Sequence, residues 1–153
     1  MYSHSIVFLH IVSAIIWIGG MIAIRVAVHP ALKTINDSIM KLGKTLEIVG
    51  RLFALVIPFI ATLIVTGLMM AISSNAHKGS LMIFFIIKES IWTIMTLNFI
   101  YMFIQRRAAW RLFDAKKIQE AKNKVRLIPN LLLPINIILG IVEVWFGITL
   151  RGL

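Results

Sequence analysis

The stretch LFALVIPFIATLIVTGLMMAIS, residues 52–73, decides the fold class, because it contains no charged side chain. The hydrocarbon core of a bilayer is crossed by about 20 mostly apolar residues of α-helix. Three more stretches have that length and character: Ser5–Val28, Leu81–Ile104 and Leu127–Leu150. Together with Leu52–Ser73, they predict an all-α integral membrane protein, a four-helix bundle that forms a single transmembrane domain over residues 1–153.

The composition supports a membrane protein and excludes several chemistries. Apolar residues make up 59% of the chain and charged residues only 14%. In soluble domains about half of the residues are apolar and about a quarter are charged. The absence of cysteine excludes disulfides, thiolate metal sites and a cysteine nucleophile. The N-terminus lacks the basic region of a cleavable signal peptide, so we expect Met1 to be the true start.

The formal charge of +10 is concentrated in two connections between the predicted spans. Four basic residues lie between the first and second spans and eight between the third and fourth: Lys33, Lys41, Lys44 and Arg51, then Arg106, Arg107, Arg111, Lys116, Lys117, Lys122, Lys124 and Arg126. The opposite side has only Lys78 and Arg151. This bias predicts that both basic connections are cytoplasmic and both termini outside, in a bacterial plasma (inner) membrane.

Both basic connections also contain apolar residues at helical spacing. Ala31–Val49 and Arg107–Arg126 therefore predict amphipathic helices at the surface of an anionic leaflet. No recognised nucleic-acid-binding motif accompanies the positive charge. We interpret the charge as a determinant of topology and of contact with lipid headgroups, and expect no nucleic-acid partner.

Ionisable side chains inside the predicted spans are the strongest functional signal. His10, Lys88 and Glu143 belong to three different spans and each lies five to seven residues from the outer end. At 1.5 Å of rise per residue, all three lie about 8–11 Å below the outer surface. Arg25 lies near the inner end, where it can extend to the headgroups. Intramembrane ionisable groups usually serve function, although Lys88 and Glu143 could also form a purely structural ion pair.

His10 begins a polar and aromatic stripe along the first span. Ser13, Trp17, Gly20 and Ile24 follow at spacings of three or four residues and therefore share one helix face. Gly19 and Gly20 leave room for a neighbouring helix or for a flat ligand. Trp17 fits ordinary bundle packing at least as well as stacking on such a ligand.

Three functional classes fit these residues. A haem b needs an axial imidazole, an apolar slot and cations for its propionates. His10 offers the imidazole and Lys88 offers a cation. A copper site needs several nitrogen or sulfur ligands, and His10 would have to be joined by His4, His77 or methionines such as Met69 and Met70. A non-catalytic membrane anchor would use only its basic loops.

The sequence HIVSAIIWIGG, residues 10–20, resembles the first helix of the HemJ-type protoporphyrinogen oxidases and of the related CopD copper-resistance membrane domains. Both begin with a histidine, six residues, a tryptophan and a pair of small residues. The resemblance covers most of the chain and continues at these positions: Arg25, His29, Arg51-Leu52-Phe53, Pro58, Thr62, Thr66-Gly67 and Lys88.

The resemblance to HemJ implies haem b binding and oxidation of protoporphyrinogen IX, with His10 and Lys88 essential. Our hypothesis is a haem b redox protein that transfers electrons or oxidises a porphyrinogen, coupled to the quinone pool. His10 is the axial ligand, and Lys88 a second ligand, propionate partner or proton-transfer group. Glu143 balances charge or shuttles protons. The remaining predicted cofactor-binding residues are Trp17, Gly20 and Arg25. Copper is the alternative to haem, and a homodimer is compatible with the sequence.

Overall fold

The computed structural model describes the backbone of residues 4–73 and 82–152 and the side chains of residues 4–72 and 82–149. These two ranges are helical except for short turns, and they contain no β-strand. Four helical stretches within them are long and apolar enough to cross a bilayer: His4–Lys33, Ser38–Ile72, Met82–Asp114 and Ile118–Thr149. The predicted all-α fold and multi-pass character are therefore confirmed. The predicted turn at residues 75–80, with His77 and Lys78, and the side chain of Arg151 lie outside the described residues.

The helices follow one another with short joints. Helix α1 spans His4–Ala23 and continues through a π-helical turn, Ile24–Val28, into α2, His29–Lys33. The longest helix is α3, Ser38–Ser73, and it is followed by α4, Met82–Asp114, and by the short α5, Ile118–Val125. A second π-helical turn, Ile128–Leu132, leads into α6, Leu133–Gly152.

The four long helices form a closed ring in which α1 contacts α3 and α6, and α4 contacts the same two helices. Aromatic side chains fill the centre: Phe99 meets Trp17 edge-on at a centroid distance of 6.1 Å and Phe53 at 5.0 Å. The outer surface is apolar, and Ile72 and Ile148 are 75% and 68% exposed. An apolar surface of this extent is typical of a chain that faces lipid.

The first basic connection is not a separate surface helix, so the prediction for Ala31–Val49 is wrong. Helix α3 begins at Ser38, where the Asp37 carboxylate accepts the amides of Ile39 and Met40 at 2.8 and 3.1 Å. That carboxylate caps the helix, which continues unbroken into the membrane span. Two of the apolar residues that suggested an interfacial helix, Leu42 and Leu46, are buried in the bundle, whereas Ile39 is 54% exposed.

The second basic connection divides into two helices, whereas one was predicted over Arg107–Arg126. Helix α4 continues to Asp114, and the chain turns at Lys116, whose φ of 61° is left-handed. Helix α5 then packs back on α4 with Ala121 and Val125 buried. A left-handed residue outside glycine is uncommon, and no spacing in the sequence indicated it.

Glycines let α4 approach α3 closely at the basic end of the bundle. Gly50 packs directly against the guanidinium of Arg106, and Gly43 lies against the ring of Phe113. The same guanidinium donates from Nε to the Leu46 carbonyl at 3.0 Å and lies over the Trp110 ring at 5.0 Å. Arg106 therefore joins two helices, in addition to carrying one of the topology charges.

Prolines explain both π-helical turns. A proline ring clashes with the carbonyl four residues earlier and has no amide hydrogen. In each turn the residue just before the proline donates its amide five residues back: His29 to Ile24 before Pro30, and Leu133 to Ile128 before Pro134. The wider turn accommodates the proline without ending the helical path.

Two asparagines connect α4 to α6 inside the bundle. The amide nitrogen of Asn98 donates to the Asn136 side-chain oxygen at 2.7 Å and to the Leu132 carbonyl at 2.9 Å. Asn136 in turn donates to the Met95 carbonyl at 3.1 Å and is completely buried. Polar side chains of this kind hold transmembrane helices together.

We predict that Asn136→Ala lowers the free energy of unfolding by about 1 kcal/mol, because Asn98 loses its side-chain acceptor. The matched control is Asn130→Ala, since exposed Asn130 bonds only to the Arg126 carbonyl of its own helical segment. The measurement is SDS-induced unfolding of the detergent-purified protein, followed by circular dichroism. Equal losses in the two variants would contradict an interhelical role for Asn136.

Candidate functional site

The imidazole of His10 on α1 is held by Thr66 on α3. His10 Nδ1 and Thr66 Oγ1 are 2.8 Å apart, and Thr66 is buried. The Thr66 hydroxyl also lies 2.7 Å from the Thr62 carbonyl, to which it donates. A hydroxyl has one proton: when Thr66 directs it to the Thr62 carbonyl, Thr66 accepts a hydrogen bond from His10 Nδ1, and the other imidazole tautomer reverses these roles.

The arrangement in which Thr66 donates to Thr62 corresponds to one tautomer of the neutral imidazole. Because Nδ1 carries the proton that Thr66 accepts, Nε2 keeps its lone pair. An imidazole whose other nitrogen is fixed in this way is oriented as a metal-binding imidazole usually is. Gly67 on α3 lies against the edge of the ring, where an added Cβ would make an ordinary van der Waals contact 3.6 Å from His10 Cε1.

Lys88 on α4 and Glu143 on α6 form an ion pair, with Nζ and Oε1 3.0 Å apart. Their side chains are 22% and 14% exposed, and both carboxylate oxygens are shielded from solvent. The pairing that the sequence suggested is therefore present. Removing one partner of such a pair leaves an uncompensated charge, which is much more costly than removing both.

Two polar contacts join helices in pairs: Lys88 and Glu143 join α4 to α6, and His10 and Thr66 join α1 to α3. Lys88 is followed in the chain by Glu89. We refer to His10, Thr66, Lys88 and Glu143 as the polar cluster. It combines a lone-pair nitrogen with a neutralised ion pair in apolar surroundings.

Trp17 and Gly20, which belong to the predicted stripe of α1, contact neighbouring helices of the bundle. Trp17 is 2% exposed, and its ring meets the edge of Phe99. A Cβ added to Gly20 would lie 2.7 Å from Leu52 Cδ1, so the glycine permits close approach of α1 to α3. These are the contacts of core packing, and a cofactor contact for either residue stays a prediction.

Arg25 does not join the polar cluster. It lies in the first π-helical turn, 15 residues beyond His10. At 1.5 Å per residue, that separation is about 22 Å along the helix. The depth argument correctly placed Arg25 near the other end of the span, so its predicted role as a cofactor-binding residue has no support from its position.

Three polar residues that organise the bundle are not predicted from the sequence. Thr66 enters only through the resemblance, and Asn98 and Asn136 carry no charge that would distinguish them within their apolar spans. All three are hydrogen-bonded between helices. The signal that would have found them is any amide or hydroxyl within an apolar span, since hydrogen-bonding side chains there seek a partner on another helix.

Within residues 4–72 and 82–149 we find no preformed metal site with several protein ligands. No three histidine, cysteine, aspartate or glutamate side chains converge in this part of the chain. Dedicated zinc or copper sites take three or four protein ligands.

Comparison with known proteins gives no match to a family profile, a curated protein or a solved structure. The resemblance to HemJ and CopD thus stays a prediction from the residues that carry it.

We predict that Lys88→Met and Glu143→Leu each destabilise the fold by about 3 kcal/mol, because each leaves a lone charge in the bundle. The double variant recovers most of the loss. The control is the exposed pair Lys44–Glu47, 3.2 Å apart, where Lys44→Met costs less than about 0.5 kcal/mol. SDS-induced unfolding measures all four variants, and additive losses in the double variant would show that the two residues are not coupled.

Proposed function

We propose that the protein is a multi-pass inner-membrane redox protein that binds haem b through His10 Nε2. The observation that carries this proposal is the His10–Thr66 hydrogen bond, which leaves a lone pair on Nε2. Electron transfer, or oxidation of a porphyrinogen coupled to quinone, is the corresponding reaction.

The residues around His10 fit an axial ligand. Thr66 fixes the imidazole from Nδ1, and second contacts of this kind orient metal-binding histidines and strengthen their affinity. Gly67 adds no side chain at the edge of the ring. Trp17 and Gly20 already contact Phe99 and Leu52, so the proposal rests on His10, Thr66 and Gly67 and does not require those two residues.

Lys88 supplies positive charge to this site. As an ammonium paired with Glu143, it has no lone pair for a metal. The roles of propionate partner and proton-transfer group therefore fit better than that of second axial ligand. Glu143 keeps the pair neutral and offers a carboxylate that can exchange a proton with Lys88 across a distance of 3.0 Å.

The orientation belongs to the same proposal. Twelve of the 16 basic residues lie in the two connections at one end of the bundle, and the positive-inside bias assigns that end to the cytoplasm. The polar cluster then lies in the outer half of the membrane, close to the non-cytoplasmic ends of α1, α4 and α6.

We predict that the purified wild-type protein shows a Soret band and that His10→Ala abolishes it. Thr66→Val weakens haem affinity about tenfold, because the imidazole loses the contact that orients it. His29→Ala is the matched control, since His29 lies on the same helical path but at the opposite end. Absorption spectra and haem titrations in detergent measure these effects.

Metal analysis of the same samples separates the rival functions. A wild-type protein without a Soret band, or with a band unaffected by His10→Ala, would contradict the proposal. Stoichiometric copper without haem would support a CopD-like copper protein instead. Full function in His10→Ala and Lys88→Met, with loss after charge reversal in residues 106–126, would support a membrane anchor.

A further inference from the structure

A cavity of about 380 Å³ opens at the basic end of the bundle, between α4, α5 and the start of the fourth span. It exists because the chain turns at Lys116 and α5 packs back against α4. Ala109 and Ala121 are both fully buried where the two helices meet, and small residues allow such close packing. The cavity lies beside this contact and is far from the polar cluster.

The lining of the cavity has a polar and an apolar part. Hydrogen-bond donors come from the Tyr101 hydroxyl, the amides of Gln105 and Asn123, and the Lys124 ammonium. Leu112 and Leu127 supply apolar surface. Gln105 directly follows the predicted third span and Leu127 begins the fourth. The cavity therefore lies at the level of the boundary between hydrocarbon and water.

The segment that forms the cavity is basic, although the lining itself contains one basic side chain, Lys124, and one acidic side chain, Glu120. Residues 105–126 contain eight basic side chains and two acidic ones, Asp114 and Glu120, which gives a net charge of +6. Glu120 also lines the cavity, but Lys117 lies 3.6 Å from its carboxylate and compensates it. Lys124 has no such carboxylate partner among the described ion pairs.

We infer that this cavity binds the headgroup of an anionic phospholipid. Lys124 pairs with the phosphate, the amides of Gln105 and Asn123 donate to headgroup oxygens, and Leu112 and Leu127 contact the glycerol and the upper acyl chains. A soluble phosphate ester carries the same phosphate group but has no acyl chains. The apolar lining at the membrane boundary suits acyl chains and therefore favours the phospholipid. This site is independent of haem binding.

The test compares Lys124→Gln with Lys122→Gln by native mass spectrometry of the full-length protein, with lipids titrated into the detergent. Both lysines are exposed on α5 and both substitutions remove one charge, but only Lys124 lines the cavity. We expect wild type to bind phosphatidylglycerol more tightly than phosphatidylethanolamine. Lys124→Gln lowers the phosphatidylglycerol affinity about fivefold, and Lys122→Gln changes it by less than about twofold. Gln105→Leu, a second variant, also weakens binding.

Each other outcome would overturn the inference. Equal losses in Lys122→Gln and Lys124→Gln would indicate attraction to the basic surface as a whole. Equal affinity for the two lipids would exclude selection of an anion. Competition by inorganic phosphate at the affinity of the lipid would show that the site takes a soluble ligand.

Discussion

The ion pair between Lys88 and Glu143 shows the constraint on which the whole structure depends: a polar group inside the membrane must find its partner within the protein. Lipid supplies no hydrophobic force that would press apolar helices together, so such partners contribute directly to helix association. The ion pair joins α4 to α6. A hydrogen bond from Asn98 to Asn136 joins the same helices.

The remaining contacts complete the ring of helices. His10 and Thr66 join α1 to α3, and Arg106 joins α4 to the Leu46 carbonyl of α3. Helices α1 and α6 meet where Gly140 leaves space for Ile18. Each polar side chain thus fixes the position of one helix against another. The polar cluster is consequently part of the same framework that orders the bundle.

The proposed function uses one asymmetry in this framework. Lys88 and Glu143 neutralise each other. His10, in contrast, is hydrogen-bonded to Thr66 through only one of its two ring nitrogens. The nitrogen with the lone pair is the chemically available group of the cluster. The Lys88–Glu143 pair adds no net charge to the bundle.

The sequence predicted the large-scale features well, because lipid imposes simple rules on span length. The four apolar helices follow from counting residues, and the ion pair between Lys88 and Glu143, one of the alternatives that the sequence left open, is present. The sequence did not show that Leu42 and Leu46 extend the core face of α3, since their spacing fits an interfacial helix equally well. The turn at Lys116 depends on an uncommon backbone conformation.

Side-chain partners were harder to predict than helices. The spacing of Trp17 and Gly20 placed both on one face, but which neighbour fills that face depends on how the four helices are arranged. Phe99 and Leu52 occupy it. Thr66 and Asn136 contribute no charge, so a search for ionisable groups passed over the residues that orient His10 and connect α4 to α6.

The most direct test of the account is the protonation of the His10 ring, read by nitrogen NMR of ¹⁵N-histidine-labelled protein in lipid bilayers, with His10→Ala used to assign the signals. The account predicts a neutral imidazole with the proton on Nδ1 and an unprotonated Nε2, whose signal shifts when haem b is added. A proton on Nε2, or an Nε2 signal that haem leaves unchanged, would contradict it.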